Sequence, residues 1–514
     1  MGTRLDFSFV PGKGELRKRR VETDPLRVLV IGDLRGAGRP ALDPTAPLAH
    51  ARIAPIGIDS FDDVLAQLSP ELELGPAEAG AEPTRLRFRT LADFHPDHLY
   101  DGSALIASLR RTRERLLDPK TFESEKARLL SAAAGDVPAA PAAPALPAAP
   151  ASTDAESGGS ALERLLGKRS GAPAAAVPQS PDTAIDQLLR RIVGPYIAHT
   201  PGPEQTRLVA SVDAAITAEL RRVLHAPAFQ RLEGVWRGIA WLINGNAAGD
   251  ELQVLVLDAS RDELLADIRG CAGDLTRSAL YQLVVQREVS GPGKKPISLV
   301  VGDFQCEGSE SDVSLLAALG AIAGEAGGAF VAGADPRLVG AYELAQKPDR
   351  GSWGEPDASA VQRMQLLRHS AVAPFIGLAM PRVLGRVPYG KRSDPISRFD
   401  FSELSVAPAH EDFLWINPAF ALAQLVAAAF AEAGWGLSLG SELTLSDLPT
   451  AVYNDGYDQQ LKPCAEVTLD YASAERMQDA GYMALISHRG EPALRLLRFQ
   501  SIARPPAPLA GPWA

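Results

Sequence analysis

Two stretches of this sequence have the outline of a phosphate-binding corner. Pro25 to Gly38 reads PLRVLVIGDLRGAG, and Pro296 to Asp312 reads PISLVVGDFQCEGSESD. In each, a run of Val, Ile or Leu meets Gly-Asp, the pattern of a buried strand running into a turn. Phosphate chemistry needs more than this. A P-loop requires GxxxxGK followed by Ser or Thr, so that backbone amides cradle the phosphate and the Lys reaches it, and a dinucleotide fold requires GxGxxG. GDLRGAGRP has no Lys followed by Ser or Thr, and GDFQCEGSESD is acidic, the wrong sign for phosphate. The lysines of GPGKKP, Gly291 to Pro296, sit in a hairpin-like loop before a strand. Neither corner meets the requirement for a nucleotide.

Other candidate groups give equally little chemistry. DFHPDHLYD, Asp93 to Asp101, offers His95 and His98 among three acids. With Pro96 between them, the pattern reads as the start of a helix capped by Asp93 or Asp97 rather than a metal site. Glu307, Glu310 and Asp312 suit the positive end of a helix better than a cation. Asp455 and Asp458 in YNDGYDQQ read as a turn. Cys271, Cys306 and Cys464 lie far apart, with no CxxC or Cys/His spacing for zinc and no even framework for disulfides. Gly-x-Ser-x-Gly is absent. No catalytic, cofactor-binding or metal-binding residue is assigned, and no enzyme activity is expected.

The elements around these groups alternate between strand and helix. Before residue 135, Val28–Ile31 reads as a strand and a helix starts at Asp59 or Ser60. LRFRTLADF reads as an alternating strand with Leu86, Phe88 and Thr90 on one face. Ser103–Leu117 reads as an amphipathic helix whose basic face (Arg110, Arg111, Arg113, Arg115) is a solvated or partner-facing surface. After residue 182, helices are expected over Ala184–Val193, Glu204–Leu224, around EGVWRGIAWLI, after Ser309, and from Asn417 as cap with Pro418 at N1 to Gly434. Leu252–Leu257 and Ile297–Val301 read as buried strands, as do AEVTLD, YMALISHRG and LRLLRFQSI near the end. The fold class is α/β, with mixed sheets (α+β character) and α/β cores on both sides of a linker.

That linker is legible from composition. Gly135 to Ser160 is Pro/Ala-rich and then Ser/Gly-rich, and Gly167 to Asp182 is similar. Such residues bury too little to offset the entropy of ordering them. Between these arms lies SALERLLG, Ser160 to Gly167, with a capping box at Ser160/Glu163 and Leu162, Leu165 and Leu166 on one face. So short a helix is unstable alone in water, so a stranded apolar mini-helix reads as a ligand for a partner protein.

The whole chain narrows the class further. Its 514 residues imply two to four domains, and a net charge of -11 makes it a poor binder of nucleic-acid backbone. The N-terminus carries no apolar core of signal-peptide length. The longest apolar stretch, Pro418–Ala431, is shorter than the roughly 20 residues needed to span a bilayer. A reducing, cytoplasmic setting without direct membrane insertion is expected.

Five blocks then carry a resemblance. AELRRVLHAPAFQRLEGVWRGIAWLI, the segment from LVVGDFQCEGSESD to DPRLVG, FIGLAMPRVLGRVPYGKRSDPISRFDF, FLWINPAFALAQLVAAAFAEAGWGLSL and the segment from LPTAVYNDGYDQQ to ALISHRG occur in this order. Together they resemble the large sheath subunit of bacterial type VI secretion systems, from Asp186 to about Ile502. PLRVLVIGDLRG, DSFDDVLAQLSPELEL and LRFRTLADFHPDHLYD are similar to the small sheath subunit. The chain therefore resembles a fusion of the two. The parts are a small-subunit-like domain (1–134), a linker (135–182) with the mini-helix at 160–167, a large-subunit-like domain (183–394) and a C-terminal large-subunit-like domain (395–514).

The resemblance implies a structural component of a contractile sheath, assembling with copies of itself around an inner tube and against a baseplate. It implies that both Gly-Asp corners are scaffold, where a strand ends, Gly32 or Gly302 permits the turn, and Asp33 or Asp303 bonds free amides. It gives the mini-helix residues Leu162, Leu165 and Leu166 to an AAA+ unfoldase that recycles contracted sheath. Large subunits continue beyond RFQSI, and this chain has the Pro-rich ARPPAPLAGPWA there, which cannot form an internal strand. The alternating RLDFSFV, with Phe7 and Phe9, is then the candidate for strand donation to a neighbour. A non-polymerising sheath terminator or sheath–baseplate adaptor is the alternative.

Overall fold

A computed structural model describes residues 22–75, 83–102, 104–133, 204–245, 251–291, 293–488 and 490–513. The linker, the mini-helix with Leu162, Leu165 and Leu166, the helix expected at Ala184–Val193, and Phe7 and Phe9 lie outside the described residues. The chain divides into two compact units, one of Met1–Ala104 with Thr217–Ala514 and one of Leu105–Ile216.

The larger unit is organised by one mixed sheet. From the chain before the linker come β1 (Leu26–Gly32), β2 (Ile53–Ile56) and the antiparallel pair β3 (Glu71–Leu74) and β4 (Thr84–Arg87). After it come β5 (Leu252–Asp258), β6 (Leu299–Cys306), β7 (Ala329–Ala334), β8 (Ile376–Met380), β9 (Val383–Leu384) and β10 (Trp415–Ile416). β11 (Ser441–Leu445), β12 (Ala451–Asn454), β13 (Gln459–Lys462), β14 (Met483–Ser487) and β15 (Leu494–Arg498) complete the set. Nine strands lie in the order β11-β15-β14-β8-β7-β6-β1-β5-β2. β1 is thus an interior strand, parallel to β5 on one side and to β6 on the other. The strand–helix alternations on either side of the linker converge on this one sheet.

The composition of β1 explains its place. LRVLVIG is buried along its whole length, as a parallel strand covered on both faces must be. Leu29 and Ile31 join the core that contains the helix Glu310–Glu325, while Val28 and Val30, of opposite parity, face the other side. The helix Ala419–Ala433 crosses β1, β6, β7 and β8 and packs on the helix Pro227–Asn244. These two helices approach closely at Gly238, where a Cβ would stand 2.5 Å from the Phe420 ring.

Several local expectations need correction. β6 does not end at Gly302. It runs on to Cys306 with an irregular register between Val301 and Gln305. Gly302 is required because a Cβ there would lie 2.6 Å from the Phe330 ring, and neither it nor Gly32 has a positive φ. The strand in LRFRTLADF stops at Arg87. Leu86 and Phe88 are buried, but Thr90 instead stands before a 3₁₀ turn, Leu91–Phe94, where its amide donates to Asp93 Oδ2 at 2.9 Å. AEVTLD forms one isolated bridge, Val383 to Ala465, because Asp470 accepts from the Ser473 amide and starts the helix Tyr471–Asp479.

Other expectations hold. Ser309 and Asp312 form a capping box. Asn417 Oδ1 accepts from the Ala419 amide at 3.0 Å. Asp455 Oδ1 accepts from the Tyr457 and Asp458 amides in its turn. In the smaller unit the basic helix, Ala104–Leu117, has paired charges: Arg113 meets Asp213 at 2.5 Å and Arg110 meets Glu114 at 4.0 Å.

Candidate functional site

The two Gly-Asp corners are neighbours. β1 and β6 pair with Ile31 opposite Gly302, which puts Gly32 against Asp303, and a Cβ on Gly32 would lie 3.0 Å from the Asp303 Cβ. Asp258, at the end of β5, is paired in register with Gly32. Three acids therefore gather here, Asp33 and Asp258 at the carboxyl ends of β1 and β5 and Asp303 within β6, beside the strand ends where open α/β sheets commonly hold ligands.

Here the protein's own groups fill that position. The Leu34 amide donates to Asp258 Oδ1 at 3.0 Å, and the Gly36 amide donates to Asp33 Oδ1 at 3.0 Å. Arg39 Nη2 reaches Asp33 at 2.9 Å and also bonds Asp258, while Nη1 reaches Glu263 at 2.6 Å. Burial works to lower the Arg39 pKa, but Asp258, Asp33 and Glu263 outweigh it and raise it. The amides that would hold a phosphate are thus occupied by carboxylates, and the acids are neutralised by an arginine. Asp303 differs. Burial pushes its carboxyl up to about 7, against a hydrogen bond from Asn417 and with Asp33 nearby adding to the rise.

A second cluster joins distant blocks through buried charge. Arg386, from PRVLGRVPYG, bonds Glu233 through Nε at 2.7 Å and Glu403 through Nη1 at 2.7 Å and Nη2 at 2.9 Å. Arg237 bonds Glu233 at 2.7 Å and donates to the Tyr389 hydroxyl at 2.7 Å, and the Tyr389 amide donates to Glu403. The Arg386 guanidinium lies 4.0 Å from the Tyr389 ring centroid. Burial works to raise the Glu233 pKa, yet Arg386 and Arg237 hold it below its ordinary value. Removing one member of such a buried set costs about 3–5 kcal/mol, because the partner charges stay buried without compensation. The sequence signal was Glu233 itself, an acid inside the apolar helix pattern EGVWRGIAWLI.

The histidines resolve as structural too. His98 Nδ1 lies 3.3 Å from Asp93, while His95 lies 3.7 Å from Asp97 and 3.6 Å from Asp394, so the pair does not converge. Asp97 accepts from the Ser397 amide and Arg398 pairs with Asp101 at 3.4 Å, so this motif docks on the loop around Asp394–Arg398. His410, Glu411 and Glu466 do bring potential ligand atoms together. Arg382 already bonds both acids, and Lys462 donates to His410 Nδ1 at 3.1 Å. Protein cations occupy the place a metal would take. Burial works to raise the Glu466 pKa, but a bond from His410 and the Arg382 charge bring it down to about 2.

The working surface is therefore the seam along β1. Trp236, fully buried, donates to the Leu34 carbonyl at 3.1 Å, and Trp435 donates to the Asp24 carbonyl at 2.7 Å. Phe88 and Phe94 stack at 4.1 Å with Phe229 edge-on at 5.7 Å from Phe94. Phe61 meets Trp236 edge-on at 5.7 Å. Apart from the Phe88–Phe94 stack, each of these contacts joins the chain before the linker to the chain after it. The sequence-chosen residues Leu162, Leu165, Leu166, Phe7 and Phe9 are outside the described residues.

The chain before the linker and the chain after it thus share one sheet, as the two parts of a single protomer would. Comparison with known families agrees. Residues 206–503 match the VipB family (EvpB/VC_A0108, tail sheath N-terminal domain), and residues 4–131 match the VipA family (Type VI secretion system, VipA, VC_A0107 or Hcp2). The chain belongs to the type VI secretion tail sheath family and fuses the small and large subunit types in one polypeptide. It is 28% identical over 316 residues to the type VI secretion system sheath protein TssC1 of Pseudomonas aeruginosa, covering 58% of this chain and 61% of that relative. It spans about three fifths of that relative's length.

The raised Asp303 carboxyl yields a test. A folded-state pKa of about 7 lies above the ordinary 3.8, so Asp303 favours the fold most at acid pH and loses that contribution as pH rises through about 7. Asp303→Asn should therefore gain stability relative to the parent chain between pH 5 and pH 8, read by urea unfolding. A difference that stays constant with pH would contradict the assignment.

Proposed function

We propose that this chain is a fused protomer of a type VI secretion contractile sheath, assembling with copies of itself around an inner tube. The observation that carries this reading is β1, which lies between β5 and β6 and so builds one sheet from both subunit types. A small subunit inserted so deeply cannot slide or exchange during contraction without unfolding the sheet. The fused protomer moves as one body, and the energy for contraction is held in contacts between protomers. Its further partners are the inner-tube protein, a baseplate and an AAA+ unfoldase, and its setting is the cytoplasm. One described helix window, Ala419–Gly436, is long and apolar enough to cross a membrane, and its helix lies against the sheet and the helix Pro227–Asn244 instead.

Electron microscopy of the purified chain with inner-tube protein tests assembly. Regular hollow tubes are expected, and they should be lost when Phe7 and Phe9 are both replaced by Ser, if strand donation meshes the sheath. Discrete particles from the parent chain would instead favour a terminator or adaptor.

The mini-helix is the unfoldase site in this reading. It is supported by Leu162, Leu165 and Leu166 sharing one apolar face in a segment too short to be a stable helix unaided. Leu165→Asp should abolish pull-down by the unfoldase while leaving the melting temperature unchanged. Undiminished capture would remove the mini-helix from the recycling route.

A further inference from the structure

A cavity of about 260 Å³ opens where the helices Ala358–Arg368 and Tyr471–Asp479 end together. Its floor is apolar: Leu338, Val339, Val361 and Met364. Three arginines reach it, Arg368, Arg476 and Arg504, against a single acid, Asp479. Among the described residues none of the three arginines forms an ion pair with a carboxylate. Arg368 Nε donates to the Ile502 carbonyl at 2.8 Å, Arg476 Nη2 makes a long contact with the Val339 carbonyl at 3.5 Å, and Arg476 lies 5.8 Å from the Trp353 ring centroid.

Arg368 is the informative member. It is 8% exposed, so its charge is desolvated without a countercharge, and in an otherwise well-paired protein that is unusual. Burial lowers its pKa, Tyr482 works against that, and the neighbouring Arg504 adds to the lowering. Its plane is held in place: Gly481, at φ +94°, leaves so little room that a Cβ would lie 2.9 Å from the guanidinium carbon. Attraction to the helix C-terminus accounts for one arginine here. It does not account for three converging on one cavity with an apolar floor.

The same geometry selects the anion. Two helix C-termini end at the cavity, bringing the negative ends of two dipoles close to it, whereas phosphate dianions favour helix N-termini with free amides. A singly charged carboxylate matches the planar guanidinium fork and meets less repulsion. We infer that this cavity is a docking site for an acidic peptide segment, whose Asp or Glu carboxylate is held by Arg368, Arg476 and Arg504 while a flanking apolar side chain covers Leu338, Val361 and Met364.

The test uses the full chain and a fluorescein-labelled acetyl-Leu-Glu-Leu-Glu-Leu-amide, with binding read by fluorescence anisotropy. Saturable binding is expected. Replacing Glu by Gln in the peptide, or making the Arg476→Gln/Arg504→Gln double variant, should weaken it about tenfold or more, the loss expected for charge-assisted hydrogen bonds. Arg504 is exposed and Arg476 half-buried, so that variant should melt as the parent does. Acetate should displace the peptide better than equimolar inorganic phosphate. No binding, or equal binding by the double variant, overturns the site. Stronger displacement by phosphate overturns the carboxylate as its ligand.

Discussion

The structure depends on one strand being hydrogen-bonded along both edges. β1 pairs with β5 from Leu26 to Gly32 and with β6 from Val28 to Ile31. Remove it, and two interior strands become edges with unpaired amides and carbonyls in an apolar setting, which water-soluble proteins avoid. The helices above and below would also face a gap, since Leu29 and Val30 lie on opposite sides of the sheet and are both fully buried. The seam residues Trp236, Phe229 and Trp435 take their partners from the same chain segment that carries β1, at Leu34, Phe94 and Asp24. Fusion makes that insertion intramolecular, so it depends on an effective concentration set by the linker rather than on encounter between two chains.

Charge supplies specificity where apolar burial does not. A hydrophobic strand could slip by one residue and still bury side chains, at the cost of turning each to the other face. The corner chemistry opposes such a slip. Arg39 must reach Asp33, Asp258 and Glu263 at once, and the Leu34 amide must meet Asp258. At the other end of β1 the Ser298 amide donates to the Arg27 carbonyl at 2.8 Å, and Arg27 pairs with Glu288. Both ends of the strand are thereby registered against its neighbours. The Glu233–Arg386–Glu403 set does the same for the helix Pro227–Asn244 and the loops after β9.

Much of this was legible from residue pattern. Val and Ile runs gave β1, β5 and β6, Ser309 with Asp312 gave a helix start, and the glycine at 434 gave a helix stop. What the pattern could not show was which strands are neighbours. β1 and β5 are more than two hundred residues apart, and an all-apolar strand carries no mark of its partner. For the same reason Gly302 was misread: a glycine needed to clear the Phe330 ring within a strand looks the same in sequence as one needed for a turn. AEVTLD misled because its alternation belongs to a connecting segment, and Asp470 is a helix cap. Asp33 was read as bonding a free amide and does so, from Gly36, but its pairing with Arg39 depends on a contact no local window contains, and Asp303, read the same way, meets the Asn417 side chain instead.

The most direct measurement places a protease site in the linker, between Pro150 and Ser160, and follows the cut chain. On this account the two fragments stay together through size-exclusion chromatography and unfold in a single urea transition, because β1 is interior to the sheet of the other fragment. Separation into two folded species, each with its own transition, would contradict it.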